Sequence, residues 1–208
     1  MPVSGRSALV LGLVVLAAVW LVPLADVLPG PFLAHMTMHM GVVAVAAPLL
    51  ALGVAGTRFD PVRRAPRWLA PIPASFGELV VVWGWHAPAL HQVARETALG
   101  FALEQGSFLA TGVWLWASAL CGDEHRAASR RAVGVVALLL TSMHMTLLGA
   151  LIALAPRPLY AHACHRASSL TPLEDQQIGG AIMLAVGAAS YLAGGVALSA
   201  RLVREARA

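Results

Sequence analysis

The chain has 208 residues, of which 59% are hydrophobic and 12% charged, with a formal net charge of +4. That is too apolar for a soluble domain of this length. All fourteen basic residues are Arg and most lie in short stretches between apolar runs, so the positive charge is a topology signal and excludes a nucleic-acid patch. The composition describes an all-α, polytopic transmembrane helix bundle, one domain over 1–208, embedded in a lipid bilayer.

Six apolar segments follow in chain order, at about 8–28, 31–54, 70–90, 98–120, 132–155 and 177–200. Each approaches the ~20 residues a helix needs to cross the hydrocarbon core. The first follows Arg6 and is read as a retained span, because no small-x-small cleavage site follows it. The third carries Pro71, Pro73, Glu78 and Pro88, so its ends and tilt stay open, and a break is expected at Pro88.

With six spans, eleven of the fourteen Arg residues fall on one side, and only Arg95, Arg157 and Arg166 on the other. The positive-inside rule then places both termini in the cytoplasm; the expected location is a bacterial inner (plasma) membrane. The same topology puts seven of the eight histidines in the outer half or outside; only His125 is cytoplasmic.

Those histidines carry the chemistry. The second segment opens His35-Met36-Thr37-Met38-His39-Met40, which sets two imidazoles on one helix face and thioethers on the neighbouring faces. Imidazole and thioether together suit copper, with Cu(I) favoured, and polar groups inside a span are expensive enough to imply function. Met143-His144-Met145 repeats the mixture on the fifth segment and offers a second wall. His86 lies at the break before Pro88, whereas His91 reads more readily as a solvated interfacial residue. His162, Cys164 and His165 form a soft cluster in an outer loop, read first as solvated and second as a metal entry point. Cys121 and Cys164 fall in different loops, so no disulfide framework is expected. Glu78 and Glu104 are placed to accept a hydrogen bond from a ligating histidine, and Asp175 to cap the sixth helix. The expected metal set is therefore His35, His39, His86 and His144 with Met36, Met40, Met143 and Met145, supported by Glu104, Glu78 and Asp175. No P-loop, dinucleotide fingerprint, catalytic triad or carboxylate pair is present, so no enzyme is expected.

His35-Met36-x-x-His39-Met40 followed by Ala47-Pro48-Leu49-Leu50-x-x-Gly53 resembles the CtaG-like family of cytochrome c oxidase assembly factors. So do His86-x-Pro88-x-Leu90, Glu104, Ser107-Phe108-Leu109, Trp114, Trp116, Leu148-Gly149, Pro158-Leu159-Tyr160 and Asp175-Gln176-Gln177-x-Gly179-Gly180, in that order. The chain departs from the family pattern at Gln105, where a histidine often follows the glutamate. The resemblance implies a membrane protein for maturing a haem–copper oxidase by handling copper, with oxidase subunits or a periplasmic copper carrier as partners. Three alternatives stay open. One is a b-type haem held by His39 and His144, another a copper permease, for which the cytoplasmic half offers few ligands. The last is a metal-free scaffold.

Overall fold

A computed structural model describes residues 4–63, 70–121, 127–160 and 169–207, and every regular element among them is helical. The elements are α1 (Gly5–Leu21), α2 (Leu24–Val27), α3 (Pro31–Met40), a π-helical turn (Gly41–Ala46), α4 (Ala47–Val54), α5 (Pro71–His86), α6 (Pro88–Glu96), α7 (Ala98–Leu120), α8 (Ala127–Ala153) and α9 (Pro172–Glu205). A short 3-10 turn, Pro61–Arg63, follows α4. His125, His162, Cys164 and His165 lie outside the described residues.

Proline writes several of the starts. Pro31, Pro71, Pro88 and Pro172 each occupy the first turn of a helix, where the missing N–H costs nothing. The expected break at Pro88 is present, so the third segment is two helices, α5 and α6, joined at an extended Ala87. Pro48 falls inside the continuous rod Pro31–Val54, where it removes the N–H that would bond Ala44. The rod answers with the π turn just ahead of Pro48. The carbonyls in that turn find side-chain partners: Trp116 Nε1 donates to Val43 at 3.1 Å, and the Ser190 hydroxyl donates to Ala44.

Among the described residues, three helices are long and apolar enough to cross a membrane: Pro31–Val54, Ala128–Ala153 and Pro172–Glu205. Successive rods run in opposite directions. Gly5 of α1 sits beside Gly53 and Val19 beside Gly41, while Gly134 of α8 sits beside Leu198 of α9 and Gly149 beside Gly180. Consequently the start of α3, the end of α5, the start of α7, the end of α8 and the start of α9 meet at one end of the bundle. At the other end Arg131 pairs with Glu205.

Glycine sets the closest approaches. A Cβ on Gly180 would stand 2.7 Å from the Ala153 nitrogen, so α8 and α9 touch backbone to backbone there. A Cβ on Gly195 would meet nothing within 4 Å. Gly180→Ala is therefore expected to destabilise the fold by about 1–3 kcal/mol through overpacking. Gly195→Ala should be neutral or stabilising by up to about 1 kcal/mol through helix propensity. Thermal unfolding of the detergent-purified variants reads both.

Candidate metal centre

The helix ends gathered at one face bring four imidazoles into one buried cluster. His35 and His39 stand on consecutive turns of α3 with rings nearly parallel and centroids 6.2 Å apart. His86, the last residue of α5, closes on both, at 5.4 Å from His35 and 5.1 Å from His39. The break at Ala87 lets α6 turn back, and His91 arrives edge-on at 4.7 Å from His35. Glu104, in the second turn of α7, completes the group: ligand atoms of His35, His91 and Glu104 all lie within 4.8 Å of one another. None of these five residues is more than 3% exposed.

What singles the cluster out is that its unpartnered nitrogens sit on rings in mutual contact; His144, in a groove away from them, also has both nitrogens without a partner. Both ring nitrogens of His35, His39 and His91 have no partner, and neither does Nε2 of His86. The remaining nitrogen, Nδ1 of His86, lies 2.7 Å from the Val82 carbonyl, which fixes it as the N–H and leaves the Nε2 lone pair free. A buried polar group without a partner costs about 1–3 kcal/mol. A cation among the rings relieves that cost for every nitrogen whose lone pair reaches it. Rings arranged tetrahedrally around one ion with bonds of ~2.0 Å have centroids roughly 5 Å apart, close to the observed spacing.

Glu104 is held from two sides. Arg95 on α6 pairs with its Oε2, and Gln105 Nε2 donates to the same oxygen at 3.1 Å. Gln105 is in turn fixed by Trp20 Nε1 of α1 at 3.1 Å, while Glu104 Oε1 has no partner. Gln105, the departure from the family pattern, thus positions the carboxylate. Burial pushes the pKa of His91 down to about 3, with the Arg95 charge acting in the same direction, so His91 is a neutral donor.

Aromatic rings seal the cluster. Phe108 packs 4.2 Å from His39, and Phe32 stacks on Tyr160 at 4.4 Å. Tyr160 lies 4.7 Å from His91 and donates its hydroxyl to the His86 carbonyl at 2.7 Å.

The segment Asp175-Gln176 holds this end together. Asp175 was expected to cap the sixth helix, but that helix, α9, begins with its own capping box, Thr171 with Glu174. The Asp175 carboxylate reaches across the bundle and accepts from the backbone N–H groups of Phe32 and Leu33 at 2.9 and 2.8 Å. It caps α3, the helix that carries His35 and His39. Gln176 bonds the Ile152 and Leu159 backbones and so anchors the approach to Tyr160.

Several expected ligands lie elsewhere. Met36 and Met40 are buried, but they face α9, against Gly179 and Gly187 respectively. Met145 is buried beside Gly187 as well. Met143 is 61% exposed on the outside of the bundle. His144 lines an apolar groove of about 740 Å³ between α5 and α8, with Phe76, Leu79 and Leu147, and makes none of the ring contacts that join the other four. Glu78 orients no histidine; it accepts from the Tyr191 hydroxyl at 3.0 Å, deeper in the bundle. His91, read from the sequence as a solvated interfacial residue, is instead buried against His35, and Arg95 was not among the expected site residues. Their signal is the i, i+4 spacing on a short helix with one apolar face.

The fold and site define a helical protein with membrane-length rods and a buried His/Glu centre at one end of the bundle. The family described as cytochrome c oxidase caa3 assembly factor (Caa3_CtaG) matches residues 1–205, and the chain belongs to that family. No curated protein and no solved structure matches it.

Asp175→Ala removes the cap of α3 while leaving every imidazole in place. It is expected to lower stability by about 1–2 kcal/mol, seen as a lower melting temperature in detergent. Thr171→Ala, at the exposed start of α9, is expected to have the smaller effect in the same assay.

Proposed function

We propose that this oxidase assembly factor binds a copper ion through His35, His39, His86 and His91 with Glu104, and passes it to an oxidase subunit or a periplasmic carrier. The observation that carries the reading is the set of seven buried ring nitrogens without partners, on four imidazoles whose rings contact one another. Imidazoles with one carboxylate form a donor set for a transition-metal cation. The family's task, assembly of cytochrome c oxidase, favours copper among those cations.

The delivery role needs no turnover. Neutral imidazoles bind without a proton change at neutral pH, and each can leave singly as a recipient's ligands arrive. His86 is preset by the Val82 carbonyl, whereas Glu104 is drawn toward Arg95 and Gln105, which weakens its hold on a cation. Six membrane passes with both termini cytoplasmic are supported by the alternating rod directions. They are also supported by Arg58, Arg130, Arg131, Arg201 and Arg204, which lie towards the end opposite the histidines. The metal centre is then at the outer face of the plasma membrane.

Metal analysis of the purified protein tests this. The His35→Ala/His39→Ala double variant is expected to retain less than about a tenth of the wild-type copper and to fail in oxidase maturation. Met143→Ala and His144→Ala should retain both. Wild-type copper content and oxidase activity in the double variant would overturn the reading in favour of a metal-free scaffold. A Soret band without copper would overturn it in favour of haem.

A further inference from the structure

We propose that Arg95 sets the charge of the ion this centre accepts, making it selective for a monovalent over a divalent cation. The inference rests on the metal reading above and adds a residue outside the donor set. Among the described residues Arg95 is the cation nearest the cluster: its guanidinium pairs with Glu104 Oε2, the oxygen that lies 3.8 Å from His35 Nδ1. Its side chain is 21% exposed, so it is held largely within the protein, with its Cζ 5.4 Å from the Phe101 ring centroid. Arg does not deprotonate in proteins, so this charge is permanent.

The charges around the cluster then sum simply. Four imidazoles are neutral, Glu104 contributes one negative charge, and Arg95 cancels it. A centre of four imidazoles and one free carboxylate carries net −1, so a monovalent ion leaves it neutral and a divalent ion leaves one positive charge. The same centre with Arg95 in place is neutral, so a monovalent ion leaves one uncompensated charge and a divalent ion leaves two. For charges ~6 Å apart at an effective dielectric of ~20, each further unit of ion charge meets a penalty of roughly a hundredfold in binding.

The arrangement is built and not incidental. Three elements converge on one carboxylate oxygen: Arg95 from α6, Gln105 from α7, and through Gln105 the indole of Trp20 from α1. They leave Oε1 as the oxygen without a partner. The short helix α6 supplies both His91, a donor, and Arg95, the counter-charge, one turn apart.

Affinities of the purified full-length protein for Cu(I) and Zn(II), each measured by competition with a chromophoric chelator, test the proposal. Arg95→Gln is expected to raise the Zn(II) to Cu(I) affinity ratio at least tenfold, while Arg95→Lys, which keeps the charge, should stay within about threefold of wild type. Glu104→Gln should move the ratio the other way, and it tests the same charge balance if Arg95→Gln does not fold. An unchanged ratio in folded Arg95→Gln, or in Glu104→Gln, overturns the role of Arg95 while leaving the metal centre standing. Failure of the wild-type protein to bind either ion overturns both.

Discussion

An imidazole placed inside an apolar bundle must find a partner, and that constraint organises this end of the protein. Elsewhere in the interior several polar groups are met by protein partners, although both nitrogens of His144 and the indole nitrogens of Trp83 and Trp114 are not. Ser75 bonds Thr141, Tyr191 bonds Glu78, and Trp116 takes the carbonyl that the π turn releases. At the His cluster the requirement is not met. Four rings are packed against one another and against Phe108, with one nitrogen fixed and seven free. Protein packing alone would favour apolar residues there, because an apolar replacement of matching shape carries no such penalty.

The scaffold around the cluster follows from the same logic. Helix ends expose unpaired backbone groups, which in a membrane cannot turn to water. The start of α3 solves this with the Asp175 carboxylate, and the approach to Tyr160 solves it with Gln176. One short stretch of α9 thus fixes the helix that carries two of the imidazoles and the loop whose tyrosine covers them. Gly179 and Gly180 in the same stretch let Phe32 and the end of α8 approach closely enough for these bonds to form.

Much of this was legible in the sequence, and the failures have specific causes. The helical spans were visible because length and hydropathy are local properties. His35 and His39 were visible because i, i+4 spacing fixes a common face. His86 was visible because Pro88 forces a break beside it. The positions of the thioethers have the complementary reason: a residue adjacent in sequence points about 100° away on a helix, so Met36 and Met40 face α9 while His35 and His39 face α5 and α6. Met143-His144-Met145 matched the composition of a ligand set, but which way a helix faces is decided by tertiary packing, and α8 turns Met143 outward. His91, Arg95 and the true target of Asp175 depend on contacts between distant segments, which periodicity does not encode. The resemblance includes Asp175 and Glu104 among its motif residues but does not say what either one touches.

The Arg95–Glu104 pair shows how these levels join. A buried ion pair is weak evidence for stability, since desolvation offsets most of the attraction. Simple stabilisation therefore does not explain a carboxylate with no exposed surface, paired with an arginine and fixed by two further side chains. The pair makes more sense as control of a neighbour. A carboxylate next to four neutral imidazoles would otherwise dominate the field at the centre, and pairing it lets the imidazoles dominate instead. That shifts the centre from tight, charge-driven binding toward donor-by-donor coordination, the regime that the proposed delivery role requires if a cargo ion is to leave.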